Sequence, residues 1–183
     1  LDIEGNVYVL GEFTSSVDFD PGPGSSIISA LGNNDVFISK FDLQGNFQWS
    51  RGFGGIWNES GYSIDVSEHG ILATGSYDGT VDFDPGAGVA SLSTNGGIDV
   101  FVSKFSTSGQ FVWARSFGGV GGNANADGIG TIEIDGSGNV IANGLFTGVV
   151  DFDPGTGETK LSSISGNQSD FFILKLNSSG NFL

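Results

Sequence analysis

Apolar residues occur along the chain in short runs that glycine-rich turns separate. In residues 63–66, Ser-Ile-Asp-Val, apolar and polar side chains alternate, which indicates a strand with one buried face. In residues 35–41 both alternating faces are largely apolar, with Val36 and Ile38 on one face and Phe37 on the other. A strand of this kind is expected to be covered on both sides.

These runs belong to a repeat. The segment Val-Asp-Phe-Asp-Pro-Gly occurs with periods of 64 and 69 residues, at 17–22, 81–86 and 150–155. A run that opens with aspartate and carries aromatic residues follows each copy, at 35–41, 99–105 and 170–176. A block that contains Phe, Trp and Gly-Gly comes next, at 45–55 and 109–119, and begins again at 180–183. We therefore expect three tandem repeats: 1–55 with an incomplete first strand, 56–119, and 120–183 with a truncated last strand.

Each repeat predicts four antiparallel strands, with one extended loop after the Pro-Gly turn. The 32 glycines supply turn positions and the 16 phenylalanines suit half-buried strands, so the composition favours an all-β fold over long helices. Four-stranded units that need cover on both faces favour stacked β-propeller blades. A β-solenoid and a sandwich-like repeat array are the alternatives. About three blades do not close a ring of the usual four to eight, so the expectation is a partial propeller.

The repeats resemble a known family. Gly5-Asn6-Val7-Tyr8-Val9, the run at 35–41 and the tryptophan block at 45–55 are similar to the bacterial β-propeller repeats called SBBP. Those repeats read approximately Asp-x-x-Gly-Asn-Val-Tyr-Val-Thr-Gly, then an Asp-Phe-Pro segment, Asp-Ala-Phe-Val-x-Lys-Leu, and a Trp strand ending in Gly-Gly. This chain differs by its Asp-Phe-Asp-Pro-Gly motif. The resemblance implies a large, exported, multi-repeat surface protein of bacteria, with no assigned enzymatic activity.

The charge of the chain excludes some partners. Its 21 acidic residues outnumber its 6 basic residues, for a formal charge of −15, so an exposed basic groove for nucleic acid or an anionic membrane surface cannot be assembled. No stretch approaches the ~20 apolar residues of a membrane span, so membrane insertion is not expected. The chain has no cysteine, and therefore neither disulfides nor thiolate metal sites contribute.

Recurring aspartates are the candidate metal ligands. Within the proline motif two carboxylates flank a phenylalanine, and an extended backbone would place both on one side. The aspartate that opens the next strand could complete an oxygen-ligand site of the kind that binds calcium. The hypothesis is one calcium ion per repeat, held by Asp18, Asp20 and Asp35, by Asp82, Asp84 and Asp99, and by Asp151, Asp153 and Asp170.

A simpler interpretation of the same motif is a turn. In Asp20-Pro21-Gly22 the proline presets φ, the glycine accepts a positive φ, and the aspartate binds local backbone N–H groups. Turn formation alone would explain the motif without a metal ion. No glutamate closes the segment as it would in an EF-hand loop, so the sequence leaves both interpretations open.

Other chemistry-bearing residues favour structural roles. Lys40, Lys104 and Lys175, and likewise Arg51 and Arg115, occupy equivalent positions of the repeats, and we expect aspartates to pair with them. His69 is the sole histidine, at a hairpin turn with no marked nucleophile nearby. The glycine-rich stretch 118–130 occurs once and predicts an inter-repeat connection rather than a phosphate loop.

The function predicted from these features is a non-catalytic structural, adhesive or binding module outside the cell or on its surface. Under the calcium hypothesis, bound calcium stabilises this module. Its expected partners are further repeats of the same protein, other copies of this chain, or surface glycans and proteins. The alternative is a carbohydrate-binding or glycan-active propeller, because repeated Trp49 and Trp113 and unrepeated Trp57 could stack on sugar rings.

Overall fold

The computed structural model describes residues 1–119, 128–164 and 168–183 of the chain, and it is all-β. The first repeat contains β1 (Val7–Phe13), β2 (Ser16–Asp18), β3 (Ile27–Ser29), β4 (Asp35–Phe41) and β5 (Phe47–Gly55). The second contains β6 (Ser60–Ser67), β7 (Gly70–Tyr77), β8 (Thr80–Asp82), β9 (Ser91–Ser93), β10 (Asp99–Phe105) and β11 (Phe111–Phe117). The third contains β12 (Gly128–Ile134), β13 (Val140–Phe146), β14 (Val149–Asp151), β15 (Lys160–Ser162) and β16 (Asp170–Leu176).

The second repeat forms a four-stranded antiparallel sheet in the order β6-β7-β10-β11. These are the four strands that the sequence predicts, in chain order. The flanking repeats supply corresponding strands, namely β1, β4 and β5 on one side and β12, β13 and β16 on the other. Strand β6 lies against both β1 and β12, so the first strand of the middle repeat contacts both neighbouring repeats.

The expected extended loop after Pro-Gly is instead part of a short hairpin. Strand β8 pairs with β9, and the same pairing recurs in β2 with β3 and in β14 with β15. Sequence reading missed these strands because each has only three residues, too few to show a period. The β8–β9 hairpin of the second repeat extends the sheet of the first repeat, because Asp82 and Val81 of β8 pair with Gly54 and Gly55 of β5.

The core lies between the sheets of successive repeats. Phe53 of β5 is 3% exposed, and its ring centroid lies 5.6 Å from that of Phe83 and 5.8 Å from that of Phe101 in the second repeat. A second cluster contains Val100 and Val102 of β10 together with residues of the third repeat. Apolar burial is the main favourable term in folding, so it is the contact between repeats that stabilises each sheet.

The prediction that the third strand is covered on both sides is confirmed where a repeat lies on each side. Every residue of β10 is buried. In β16 buried and exposed residues alternate, because one face has no neighbouring repeat in the described structure.

Within the described residues there is no helix of the length and apolarity that crossing a membrane requires. The boundary expected at 119/120 adjoins residues 120–127, which lie outside the described residues.

Candidate functional site

The first aspartate of each proline motif closes its hairpin. Asp18 Oδ1 accepts hydrogen bonds from the backbone N–H of Asp20 at 3.1 Å and of Ser26 at 2.8 Å. Asp82 and Asp151 accept equivalent bonds in the other repeats. The bonds from Ser26 and Asp20 stabilise the ionised carboxylate of Asp18 and lower its pKa.

The second aspartate of the motif organises the turn that follows. Asp20 Oδ1 accepts the backbone N–H of Gly22 at 2.8 Å, and Asp20 Oδ2 lies so close to Gly24 that a Cβ there would clash with it. Asp84 and Asp153 make the same contacts with the glycines that follow them. The Asp-Pro-Gly-x-Gly sequence therefore folds around its own carboxylate, and the turn interpretation is right about the aspartate. The positive φ expected at the glycine is wrong, because neither Gly22 nor its counterparts Gly86 and Gly155 has a positive φ.

The third group of aspartates opens the inner strands β4, β10 and β16. Asp35 Oδ2 accepts the backbone N–H of Leu31 at 3.0 Å, and Asp99 and Asp170 bind the N–H of Asn95 and Ile164 in the same manner. Asp35 is 2% exposed. Burial raises its pKa above the ordinary value, although the N–H groups of Leu31 and Gly32 oppose the shift.

The nine aspartates thus have three separate local roles, one for each of their positions in the repeat. Within residues 1–119, 128–164 and 168–183, no three acidic or histidine side chains converge to hold a metal ion. Asp18, Asp20 and Asp35 are not brought into one three-carboxylate site, and neither are their counterparts. Calcium binding by these groups stays a prediction from the sequence.

A buried acid that sequence reading passed over lies beside Asp35. Glu59 precedes β6 and is fully buried, and its Oε2 accepts the backbone N–H of Gly55 at 2.8 Å. Burial and the negative charges of Asp35 and Asp78 raise the pKa of Glu59 to about 7, against the opposing bond from Gly55. The sequence contains a signal for this residue, because an acid directly precedes the first strand of both later repeats: Glu59 in the second and Asp127 in the third. Asp127 lies outside the described residues.

The lysines of the repeats differ in their partners. Lys40 Nζ lies 3.8 Å from Asp2 Oδ2, and Lys175 Nζ lies 3.0 Å from Asp135 Oδ2, so the expected aspartate pairing is present in two repeats. Lys104 in the middle repeat is 6% exposed and donates to the carbonyl oxygen of Ser178 at 3.3 Å. Burial lowers its pKa. A carboxylate partner for Lys104 was a wrong prediction.

The arginines and tryptophans join one repeat to the next. The prediction of carboxylate partners is wrong for both arginines, because Arg51 Nε donates to the carbonyl oxygen of Gly109 at 3.1 Å and Arg115 Nε to that of Gly180 at 2.9 Å. Each guanidinium also lies over the tryptophan two residues before it, at 5.4 Å from the ring centroid. Trp113 is 7% exposed and Trp49 is half-buried, and each ring packs against a glycine turn of the next repeat.

The remaining candidates lie at the surface. Trp57 is half exposed, as expected for an unrepeated connection, and its ring lies beside Gly79. His69 is an exposed turn residue between β6 and β7, and its ring lies 3.9 Å from a carboxylate oxygen of Glu68. Most of the glycine-rich stretch 118–130 lies outside the described residues.

Comparison with known proteins gives little more. No family model matches the chain. The chain is 26% identical over 118 residues to the regulatory protein FlaEY of Caulobacter vibrioides, in an alignment that covers 64% of this chain and 12% of that protein. The chain therefore matches only a small part of this relative.

Proposed function

We propose that this chain is a non-catalytic structural or binding module made of tandem β-propeller repeats related to the SBBP type, from an extracellular or cell-surface protein, and that it docks further repeats of the same kind. One observation carries the proposal. Each open face of the repeat stack consists of positions that are buried wherever a neighbouring repeat is present.

The first open face, called the tail face, belongs to β16. Phe171 and Ile173 are 61% and 72% exposed. Their counterparts in β10 are Val100 and Val102, which are 4% and 0% exposed because the third repeat packs on them. An exposed pair of large apolar residues at these positions fits a surface that another repeat covers.

The second open face, called the head face, belongs to β1. Val7 and Val9 are 38% and 39% exposed. Their counterparts in β7, Ile71 and Ala73, are fully buried in the cluster that the first and second repeats share. A tail face of one unit is therefore chemically complementary to a head face of another, as in a heterologous interface that closes a ring or extends a row.

The contacts of the polar residues support a non-catalytic role. The lysines and arginines that recur in the repeats bind aspartates or backbone carbonyls of the structure itself. His69 is exposed at a turn, where its ring lies 3.9 Å from a carboxylate oxygen of Glu68. Basic residues that are held by contacts within the structure fit a structural role.

Light scattering of the purified chain tests the docking. We expect concentration-dependent association of the unchanged chain, and we expect Ile173→Glu on the tail face and Val9→Glu on the head face each to abolish it. Because each variant keeps one intact face, a mixture of the two should form dimers and nothing larger. Val89→Glu, at a loop residue that is 80% exposed, is the control and should associate like the unchanged chain.

Two results would contradict the proposal. A chain that stays monomeric at millimolar concentration has no affinity between its two faces, and association that survives both face variants uses another surface. Turnover of a substrate in a broad hydrolase screen would contradict the non-catalytic part.

A further inference from the structure

The connection between the first and second repeats holds two buried acids side by side. Asn34 and Asn58 form a parallel bridge, and the backbone N–H of Glu59 donates to the carbonyl oxygen of Asn34 at 2.9 Å. Asp35 and Glu59, which follow these two residues, are 2% and 0% exposed. The backbone therefore fixes both carboxylates in the same closed region.

Each carboxylate is satisfied on one oxygen only. Asp35 Oδ2 accepts the N–H of Leu31, and Glu59 Oε2 accepts the N–H of Gly55. The other oxygens, Asp35 Oδ1 and Glu59 Oε1, are fully buried and have no hydrogen-bond partner, and they are the two such side-chain atoms in the described part of the chain. A buried anionic oxygen without a partner is strongly unfavourable, so at a pH where both acids are ionised the pair needs a positive group that the surrounding side chains do not supply.

Backbone carbonyl oxygens lie in the same connection, close to Gly32. A Cβ on Gly32 would lie 2.5 Å from the carbonyl oxygen of Gly55 and 2.6 Å from that of Ile56, and a Cβ on Gly54 would lie 2.6 Å from Asp35 Oδ1. Glycine at these positions keeps the region free of side chains. Carboxylate and backbone carbonyl oxygens together are the ligand set that calcium prefers.

We propose that Asp35 Oδ1 and Glu59 Oε1 bind one calcium-class cation between the first and second repeats, with backbone carbonyl oxygens of residues 55 and 56 as further ligands. This site shares Asp35 with the three-aspartate hypothesis but not Asp18 or Asp20, which are committed to their turns. A doubly charged ion balances the two carboxylates. Zinc is disfavoured because nitrogen and sulfur ligands are absent from the site.

The site is independent of the proposed docking of further repeats, because both acids belong to one chain. Calorimetry and thermal melting of the 183-residue chain at pH 8, with calcium or with a chelator, test it. We expect one calcium ion to bind and Tm to rise by about 5–10 °C when calcium exceeds its Kd about 100-fold. Glu59→Gln and Asp35→Asn should each weaken binding at least about tenfold by removing one ligand charge.

Asp20→Asn is the matched control, because it changes an acid of the same repeat outside the site, and it should bind calcium like the unchanged chain. In chelator, Glu59→Gln should melt above the unchanged chain, because it removes one of two like charges that are buried together. If a variant of Asp35 or Glu59 does not fold, terbium binding provides a second measurement that leaves both acids unchanged. Terbium luminescence should be excited through Trp57, two residues before Glu59, and be lost in Trp57→Phe but kept in Trp49→Phe.

The proposal is overturned by a chain that binds no calcium and whose Tm does not respond to millimolar calcium at pH 8. It is also overturned if Asp20→Asn abolishes binding while Glu59→Gln retains it, because the ion would then lie at the proline turn.

Discussion

Arg115 Nε donates a hydrogen bond of 2.9 Å to the main-chain carbonyl oxygen of Gly180, 65 residues further along the chain. Arg115 Nη2 donates to the neighbouring carbonyl of Ser179 at 3.0 Å. Trp113 packs against the same turn, where a Cβ on Gly180 would lie 3.0 Å from its ring. The last strand of one repeat thus holds the turn of the next repeat by contacts that need no carboxylate.

The first prediction concerns this arginine. Arg115→Ala should lower the free energy of unfolding by about 2 kcal/mol, because charged hydrogen bonds to partly buried carbonyls are lost. Arg115→Lys should recover only part of that loss, since an ammonium group cannot bind two carbonyls in the geometry of the guanidinium. Urea unfolding measures both variants. Lys160→Ala, which removes an exposed pair with Glu158, is the control and should change stability by less than about 1 kcal/mol.

The second prediction concerns the core between repeats. Phe53→Ala should lower the free energy of unfolding by about 3–5 kcal/mol. The ring of Phe53 is buried against Phe83 and Phe101, and its removal leaves a cavity that the neighbouring side chains cannot fill. Phe171→Ala, at an open face, should cost less than about 1 kcal/mol in a chain kept monomeric by dilution. Equal losses in the two variants, measured by urea unfolding, would show that the cluster between the first two repeats does not dominate stability.

The third prediction uses a turn at which the repeats differ. Ser15 has φ of 60°, whereas glycine occupies the equivalent position in the other repeats, with φ of 68° at Gly79 and 76° at Gly148. Gly148→Ala should lower the free energy of unfolding by about 1 kcal/mol. Because no atom lies within 4 Å of the added Cβ, this loss measures the strain of the left-handed backbone alone. The control is Gly136→Ala, where the space is also open and φ is not in the left-handed region.

Ser15→Gly completes that comparison. It should stabilise the chain by up to about 1 kcal/mol, because relief of the left-handed strain exceeds the added entropy of the unfolded chain. Thermal melting of the three variants gives the measurement. A gain on Gly148→Ala would contradict the assignment of strain to this turn.

The sequence predicted the strands well where a side-chain pattern was long enough to carry a period. The seven residues of β10 show two apolar faces, and both are covered. The three residues of β8 show no pattern, and the pairing of that strand with Gly54 and Gly55 depends on how two repeats meet. Contacts of this kind join residues that are far apart in the sequence, and a local side-chain pattern does not predict them.

The candidate site was predictable only in part, for the same reason. The Asp20 turn follows from local chemistry, because proline, glycine and an acceptor lie within a few residues. Glu59 is the neighbour of Asp35 in the fold, but β4 and β5 separate the two residues in the sequence, so a local pattern does not predict the pair. Charge alone predicts a carboxylate partner for Arg115, yet backbone carbonyl groups in the turn of the next repeat accept its hydrogen bonds instead.

The last prediction concerns stability in acid. Asp135 Oδ1 accepts the backbone N–H of Asn139 at 2.9 Å, and Asp135 Oδ2 accepts the side chain of Asn139 at 3.0 Å and pairs with Lys175. The bonds from Asn139, followed by that from Lys175, hold the pKa of Asp135 well below its ordinary value of 3.8. The folded chain therefore binds fewer protons here than the unfolded chain. The resulting stability is present above about pH 4 and is lost as the pH falls below that value.

Asp135→Asn should accordingly lower Tm at pH 7, and its difference from the unchanged chain should shrink steadily between pH 4 and pH 2. Asp42→Asn is the matched control, because Asp42 accepts equivalent bonds from Asn46 and has no ion pair with lysine. At 1 M salt the effect of Asp135→Asn should diminish more than that of Asp42→Asn, since screening weakens only the lysine pair. Melting curves from pH 2 to pH 7 decide the matter, and a difference that stays constant over this range would rule out the ionised Asp135 as its source.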